Sequence, residues 1–174
     1  MQESIYSEIS VINLLILAMK EVIVGFFLGL SMHANSQKVE IVKFEVVQKM
    51  LDSQKDEIQI INFWATWCAP CVKELPLFEG LQEGTNPKIQ VTLINLDFAE
   101  EIEKVNGFIN RKKIVSRVLL LDEIDYNKWI DKVDKTWSGA IPATLILNSK
   151  TGKRKFVEKE LSDGDLQKLI DEVI

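Results

Sequence analysis

Hydrophobic and polar positions change their period along the chain, and each change marks an element. Residues 58–63, Ile58-Gln59-Ile60-Ile61-Asn62-Phe63, are apolar and β-branched with little interruption, which predicts a strand buried in the middle of a sheet. Residues 89–96 alternate and then run apolar, predicting the next strand. Residues 115–121 and 143–148 read the same way, and 39–42 as a shorter piece. Between them the period lengthens. Val47, Met50 and Leu51 share a face of a helix over 44–51, and Ile102, Val105, Phe108 and Ile109 recur at helical spacing over 100–112. Helices are also expected over 70–82 and 126–133. Pro76 lies inside the first of these, where it removes a backbone donor and predicts a kink. Residues 84–87 form a turn cluster, and a turn over 149–153 containing Gly152 leads to a hairpin partner at 154–157. A last helix starts with Ser162 as N-cap and Asp165 three residues on. Leu166, Leu169, Ile170 and Val173 then form its apolar stripe. The order is βαβ units, a hairpin and a helix, which predicts an α/β fold: a three-layer α/β/α sandwich with a mixed central sheet.

The first 36 residues do not share this patterning. Two apolar tracts, 11–19 and 22–30, flank Lys20-Glu21. In a single transmembrane helix that pair would lie mid-span, at about 2.5–3.5 kcal/mol for the lysine. Translation from Met19 makes a better leader, with a short charged start, an apolar stretch over 22–30, and small residues Ala34 and Ser36 before a cut at Gln37. Residues 1–36 are therefore expected to be a signal peptide, or an uncleaved membrane anchor. Residues 37–174 are expected to be the working domain, placed outside the cytoplasm in either case. No cysteine follows the apolar stretch, so lipid attachment there is not expected.

Composition narrows the chemistry. The chain has 174 residues, 47% of them hydrophobic, enough for one domain with a real core. Its net charge of −5 and the lack of any basic block exclude a nucleic-acid binder; Arg111-Lys112-Lys113 reads as a solvated helix end. One of 21 basic and three of 26 acidic residues lie within the first 36, which leaves the domain at about −3. The single histidine, His33, also lies there, whereas both cysteines lie in the domain.

Those cysteines stand in Trp67-Cys68-Ala69-Pro70-Cys71, where a strand gives way to a helix. A thiol at a helix N-terminus has its thiolate stabilised by unsatisfied N–H groups and the dipole. Cys68 is expected to be the more exposed nucleophile, with Cys71 one turn on and able to meet it in a disulfide. Cys68 then attacks a substrate disulfide and Cys71 resolves the mixed disulfide. Other readings fit less well. Zinc needs four ligands and the domain has two cysteines and no histidine. Covalent haem needs a histidine where Val72 stands. A four-residue staple removes little chain entropy. An uninvolved buried pair stays open. No metal and no cofactor is expected beyond the Cys68–Cys71 disulfide itself, and no peroxiredoxin-type Pro-x-x-x-Thr-x-x-Cys pattern is present.

The block Asn62-Phe63-Trp64-Ala65-Thr66-Trp67-Cys68-Ala69-Pro70-Cys71-Val72-Lys73-Glu74-Leu75-Pro76 resembles the active-site block of TlpA/ResA-type thiol-disulfide oxidoreductases, exported members of the thioredoxin superfamily. Gly139-Ala140-Ile141-Pro142-Ala143-Thr144-Leu145 resembles their cis-proline loop. The resemblance runs in order from 44 to 174 and is thinnest over 100–137. It implies a thioredoxin-like sandwich, a cis Ile141–Pro142 bond facing the cysteines, and substrate-binding positions at Trp67, Ala69, Pro70, Ile141 and Pro142. From the residues alone, an ordinary trans proline opening a strand is the simpler reading. Asn62 stands where thioredoxin itself has a buried aspartate. In this branch the family pattern offers Glu74 instead, either to modulate the thiols or accept the Cys71 proton, against the alternative of an exposed helix glutamate. Trp64 is expected in the core, Trp67 over the active-site surface, and Trp129 and Trp137 in simple packing.

Ala69-Pro70 contains no histidine, unlike the strongly oxidising dipeptides of the superfamily, and tilts the expectation toward a reductant; a monomer is expected. The resemblance implies a membrane thiol-electron transporter as its electron source and disulfide-containing exported proteins as clients, apocytochrome c among them. A disulfide oxidant or isomerase, and a redox-inactive binding module on the same fold, are the competing classes.

Overall fold

Seven consecutive residues, Ile58–Trp64, are buried, and they explain the architecture around them. The computed structural model describes residues 38–82, 84 and 86–174. The leader or anchor over 1–36, the start at Met19, the cut before Gln37 and Thr85 of the expected turn lie outside the described residues. Strand β2 (Ile58–Trp64) sits between β3 (Ile89–Asn95), parallel to it, and β5 (Ala143–Asn148), antiparallel to it. Beyond β3 come β4 (Arg117–Leu121) and then β1 (Glu40–Val42), both parallel; beyond β5 comes antiparallel β6 (Arg154–Val157). The order β1-β4-β3-β2-β5-β6 makes a mixed six-stranded sheet.

Strand alternation divides the core in two. Ile60, Trp64, Val91, Leu93, Val118, Leu120 and Ile146 face one side, under α2 (Ala69–Gln82), α3 (Ile102–Lys112) and α5 (Asp163–Val173). Ile61, Phe63, Ile94, Leu119 and Leu145 face the other, under α1 (Phe44–Leu51) and the short α4 (Ile130–Val133). The expected three-layer sandwich is the fold observed. Asn62 points with Ile60 and Trp64 toward α2, a polar residue inserted in an apolar face.

Three elements depart from the expected boundaries by more than one residue. Strand β4 begins at Arg117, and the backbone N–H groups of Val115 and Ser116 before it donate to the Glu79 carboxylate. The helix expected from 100 opens as a 3-10 turn, Ala99–Glu101, and becomes α-helical at Ile102. The helix expected over 126–133 is a 3-10 turn, Tyr126–Lys128, and then α4, broken at Trp129 (φ −135°). That break places the Trp129 ring in the core, 5.7 Å from Phe44, 6.1 Å from Phe63 and 5.4 Å from Trp137, with its indole N–H donating to Glu123. Pro76 lies on the exposed side of α2, and the helix runs on through it.

Candidate active site

The end of β2 is where the chain leaves the sheet to build the site. The Trp64 carbonyl takes the last cross-strand bond, from Leu96 N–H at 2.8 Å. A tight turn follows, Cys68 N–H donating to the Ala65 carbonyl at 3.2 Å. The Cys68 carbonyl then accepts from Val72 N–H at 3.0 Å, the first bond of α2, so Cys68 occupies the helix entry. Cys71 lies one turn in, Cα to Cα 5.3 Å, and the two sulfurs are joined as a disulfide. The Cys71 backbone N–H donates to the Cys68 sulfur at 3.3 Å. An unsatisfied helix donor therefore points at the atom that carries the charge when the bond opens, which favours thiolate at Cys68.

Cys68 is the more exposed of the two cysteines, as the sequence predicts. Cys68 is 6% exposed and Cys71 0%, so only the edge of Cys68 reaches solvent. Trp67, 64% exposed, and the exposed Ala69 and Pro70 surround that edge. The carbonyl oxygen of Ile141 lies 3.8 Å from the Cys68 sulfur, so the 138–142 loop flanks the disulfide. The Ile141–Pro142 bond is cis, with Ile141 half-buried and Pro142 buried. Cys68, Cys71, Trp67, Ala69, Pro70, Ile141 and Pro142 thus meet at one end of the sheet. Among the described residues no group of three or more His, Cys, Asp or Glu side chains is placed to hold a metal ion.

Glu74 is not an exposed helix residue. It is 1% exposed and lies on the face of α2 that covers Asn62. Its carboxylate accepts from the Asn62 amide and from Leu161 N–H, each at 2.8 Å. Burial pushes its carboxyl up to about 7, against the pull of the Leu161 and Asn62 bonds and helped by the charge of Glu160, itself paired with Lys73. Asn62 also donates to the Thr144 hydroxyl at 3.0 Å, tying β2, β5 and α2 together beneath the cysteines. Glu74 follows Cys71 at i+3, so both face the same side of the first turns of α2.

A second buried carboxylate escaped the sequence reading. Asp97, 2% exposed, follows β3 and accepts from Thr66 N–H at 2.7 Å, the Thr66 hydroxyl at 2.6 Å and the Asn95 amide at 2.8 Å, with Lys104 at 3.4 Å. Burial works against its charge, but these donors outweigh it and hold the carboxyl below its usual range. Asp97 thereby fastens the turn two residues before Cys68. The available signal was an acid closing an apolar strand after Asn95, opposite a threonine; the pairing itself is 31 residues apart in sequence.

Comparison with known proteins points to the same fold. The thioredoxin family model matches residues 37–110. The thiol-disulfide oxidoreductase ResA of Bacillus cereus is 32% identical over 164 residues, which cover 84% of this chain and 88% of that protein. The thioredoxin-like protein YneN of Bacillus subtilis is 32% identical over 113 residues, and there the match spans only 61% of the relative's length. Among solved structures, a thioredoxin-related protein from Neisseria meningitidis serogroup B superposes with a TM-score of 0.58 at 24% identity, over 70% of this chain and 87% of its own, a likeness of fold.

Proposed function

The chain belongs to the ResA-type thiol-disulfide oxidoreductases of the thioredoxin family, and from that premise we propose that it reduces disulfides of exported proteins outside the cytoplasm. The observation that carries this reading is the Cys68–Cys71 disulfide at the entry of α2, with the Ile141 carbonyl 3.8 Å from the sulfur of Cys68, the more exposed cysteine of the pair. In the dithiol form, the Cys68 thiolate attacks one sulfur of a client disulfide. A mixed disulfide forms, and the released client thiolate takes a proton from water. Cys71 then loses its proton and attacks the Cys68 sulfur, releasing the second client thiolate and restoring the Cys68–Cys71 bond. Two electrons pass to the client. A thiol-electron carrier in the membrane must return them.

Glu74 is the candidate acceptor of the Cys71 proton. A buried carboxyl with a pKa of about 7 can both take and give a proton at neutral pH. The reducing direction is supported by Ala69-Pro70, exposed at the site and without the histidine of strong oxidants. Location outside the cytoplasm is supported by the leader-like pattern of residues 19–36. Among the described residues no helix is long and apolar enough to cross a membrane.

Reduction of insulin disulfides by the dithiol form tests the reading. Cys68→Ser should abolish it, and full activity in that variant would refute exchange through Cys68. Cys71→Ser should trap mixed disulfides on Cys68, and mass spectrometry of the captured envelope proteins identifies the clients. A midpoint potential above the glutathione range would make the protein an oxidant instead. N-terminal sequencing of the exported protein tests the leader: an intact Met1 in a soluble cytosolic fraction would refute it.

A further inference from the structure

The 138–142 loop presents Ile141 to the disulfide, yet among the described residues no turn or loop backbone–backbone hydrogen bond involves any of its members. Its shape comes from side chains that reach it from two directions. From the core, Trp137 donates its indole N–H to the Ala140 carbonyl at 2.8 Å. From the sheet edge, the Glu158 carboxylate accepts from the backbone N–H groups of Ser138 and Ala140, both at 3.0 Å, and from the Ser138 hydroxyl. Ala140 is held at both its N–H and its carbonyl, one residue before Ile141. Strand pairing delivers Glu158 to this spot: Val157 lies opposite Thr144, so the residue after β6 emerges beside the start of β5. Gly139, with φ +96°, lets the chain turn so that both N–H groups reach one carboxylate. The Ser138 and Ala140 donors hold the Glu158 carboxyl below its usual range, so the bonds are charge-assisted at neutral pH.

We infer that Glu158 is a positioning residue for client binding, setting the 138–142 loop so that the Ile141 backbone stands ready to pair with an extended polypeptide beside Cys68. The inference rests on the exchange reading above and adds to it the residue that sets the loop: a site so braced favours polypeptide disulfides over small ones. The sulfur chemistry makes no use of Glu158. Loosening the loop therefore weakens the hold on a client backbone and leaves thiol reactivity alone. A small dialkyl disulfide has no backbone to offer Ile141 and is indifferent to the loop.

The experiment compares the full chain in its dithiol form on a disulfide-bridged peptide and on 2-hydroxyethyl disulfide. Glu158→Ala should raise KM for the peptide about five- to tenfold with kcat within about twofold, about the size of one ordinary net hydrogen bond. Glu158→Gln, which keeps shape and loses charge, should fall between. Rates with 2-hydroxyethyl disulfide and the Cys68–Cys71 midpoint potential should not move. If Ala does not fold, Gln carries the test. An unchanged peptide KM overturns the inference. So does a parallel loss on both substrates, or a shifted potential, since either marks Glu158 as merely structural. Wild-type protein that reduces neither substrate overturns the exchange reading and the inference together. Active wild type, inactive Cys68→Ser and unaffected Glu158 variants overturn the inference alone.

Discussion

Glu74 stands at the centre of the residue-scale chemistry, because burial changes what its carboxyl does at neutral pH. In an unfolded chain it ionises near 4.5, and in the folded protein near 7. Between those values the native state holds a proton that the unfolded state has lost, so stability falls as pH rises through that window and levels off above it. The span corresponds to on the order of 3 kcal/mol. Glu74→Gln keeps an acceptor for Leu161 and removes the titration. Urea unfolding at a series of pH values should therefore show a flatter profile between 4.5 and 7 for the variant, which should be the more stable protein at pH 8. The same variant should lose the pH-rate step near 7 in peptide-disulfide reduction if Glu74 takes the Cys71 proton. An identical profile would assign that proton elsewhere. Sequence reasoning reached Glu74 through family likeness but left open whether it was exposed. Its partners explain why: Leu161 lies 87 residues away, and no local pattern encodes that bond.

At the scale of elements, side chains that close one segment against another decide how firmly the site is built. Asp97 joins the end of β3 to the turn before Cys68, and its carboxylate is fully charged at neutral pH. Since its folded value lies below the ordinary 3.8, the stability it adds is present above that point and is lost as pH falls below it. Asp97→Asn replaces an acceptor with a partial donor facing the Thr66 N–H. About 1–3 kcal/mol of stability should go at pH 7, measured by urea unfolding, with the difference shrinking toward pH 3. The α5 helix shows a case that sequence alone makes legible. Ser162 accepts from Asp165 N–H while the Asp165 side chain accepts from the Ser162 N–H, a complete capping box within four residues. Ser162→Ala should cost about 1 kcal/mol and lower the melting temperature by a few degrees. By contrast, the α4 region could not be read in advance. A helical spacing over 126–133 is overridden at Trp129, whose burial against Phe44, Phe63, Tyr126 and Trp137 outweighs a few helical bonds.

For the whole molecule, the sheet separates two cores with different tasks. One lies beneath α2 and surrounds the cysteines; the other is an aromatic group, Phe44, Phe63, Trp129, Trp137 and Phe156, from which the Trp137 indole reaches up to brace the Ala140 carbonyl. Trp129→Ala should leave a large cavity there and cost about 3–5 kcal/mol, read as a lowered urea midpoint, while the disulfide's own potential stays put. Much of this was written locally. Two-residue alternation marked the strands, the apolar run of 58–63 marked the central one, and Cys68 and Cys71 sat together at a strand-to-helix junction. These are short-range properties, set by backbone geometry and burial within a few residues. The structure alone decided which other distant groups meet: Asn62 and Leu161 with Glu74, Thr66 with Asp97, Glu158 with Ser138 and Ala140. Each joins segments brought together only by strand order and helix packing, and buried carboxylates acquire their properties from whatever donors that packing supplies. The sequence by itself thus determined the elements and the reacting sulfurs. Tertiary structure decided the environment that tunes and positions them, because burial and hydrogen bonding across the sheet are properties of the assembled chain.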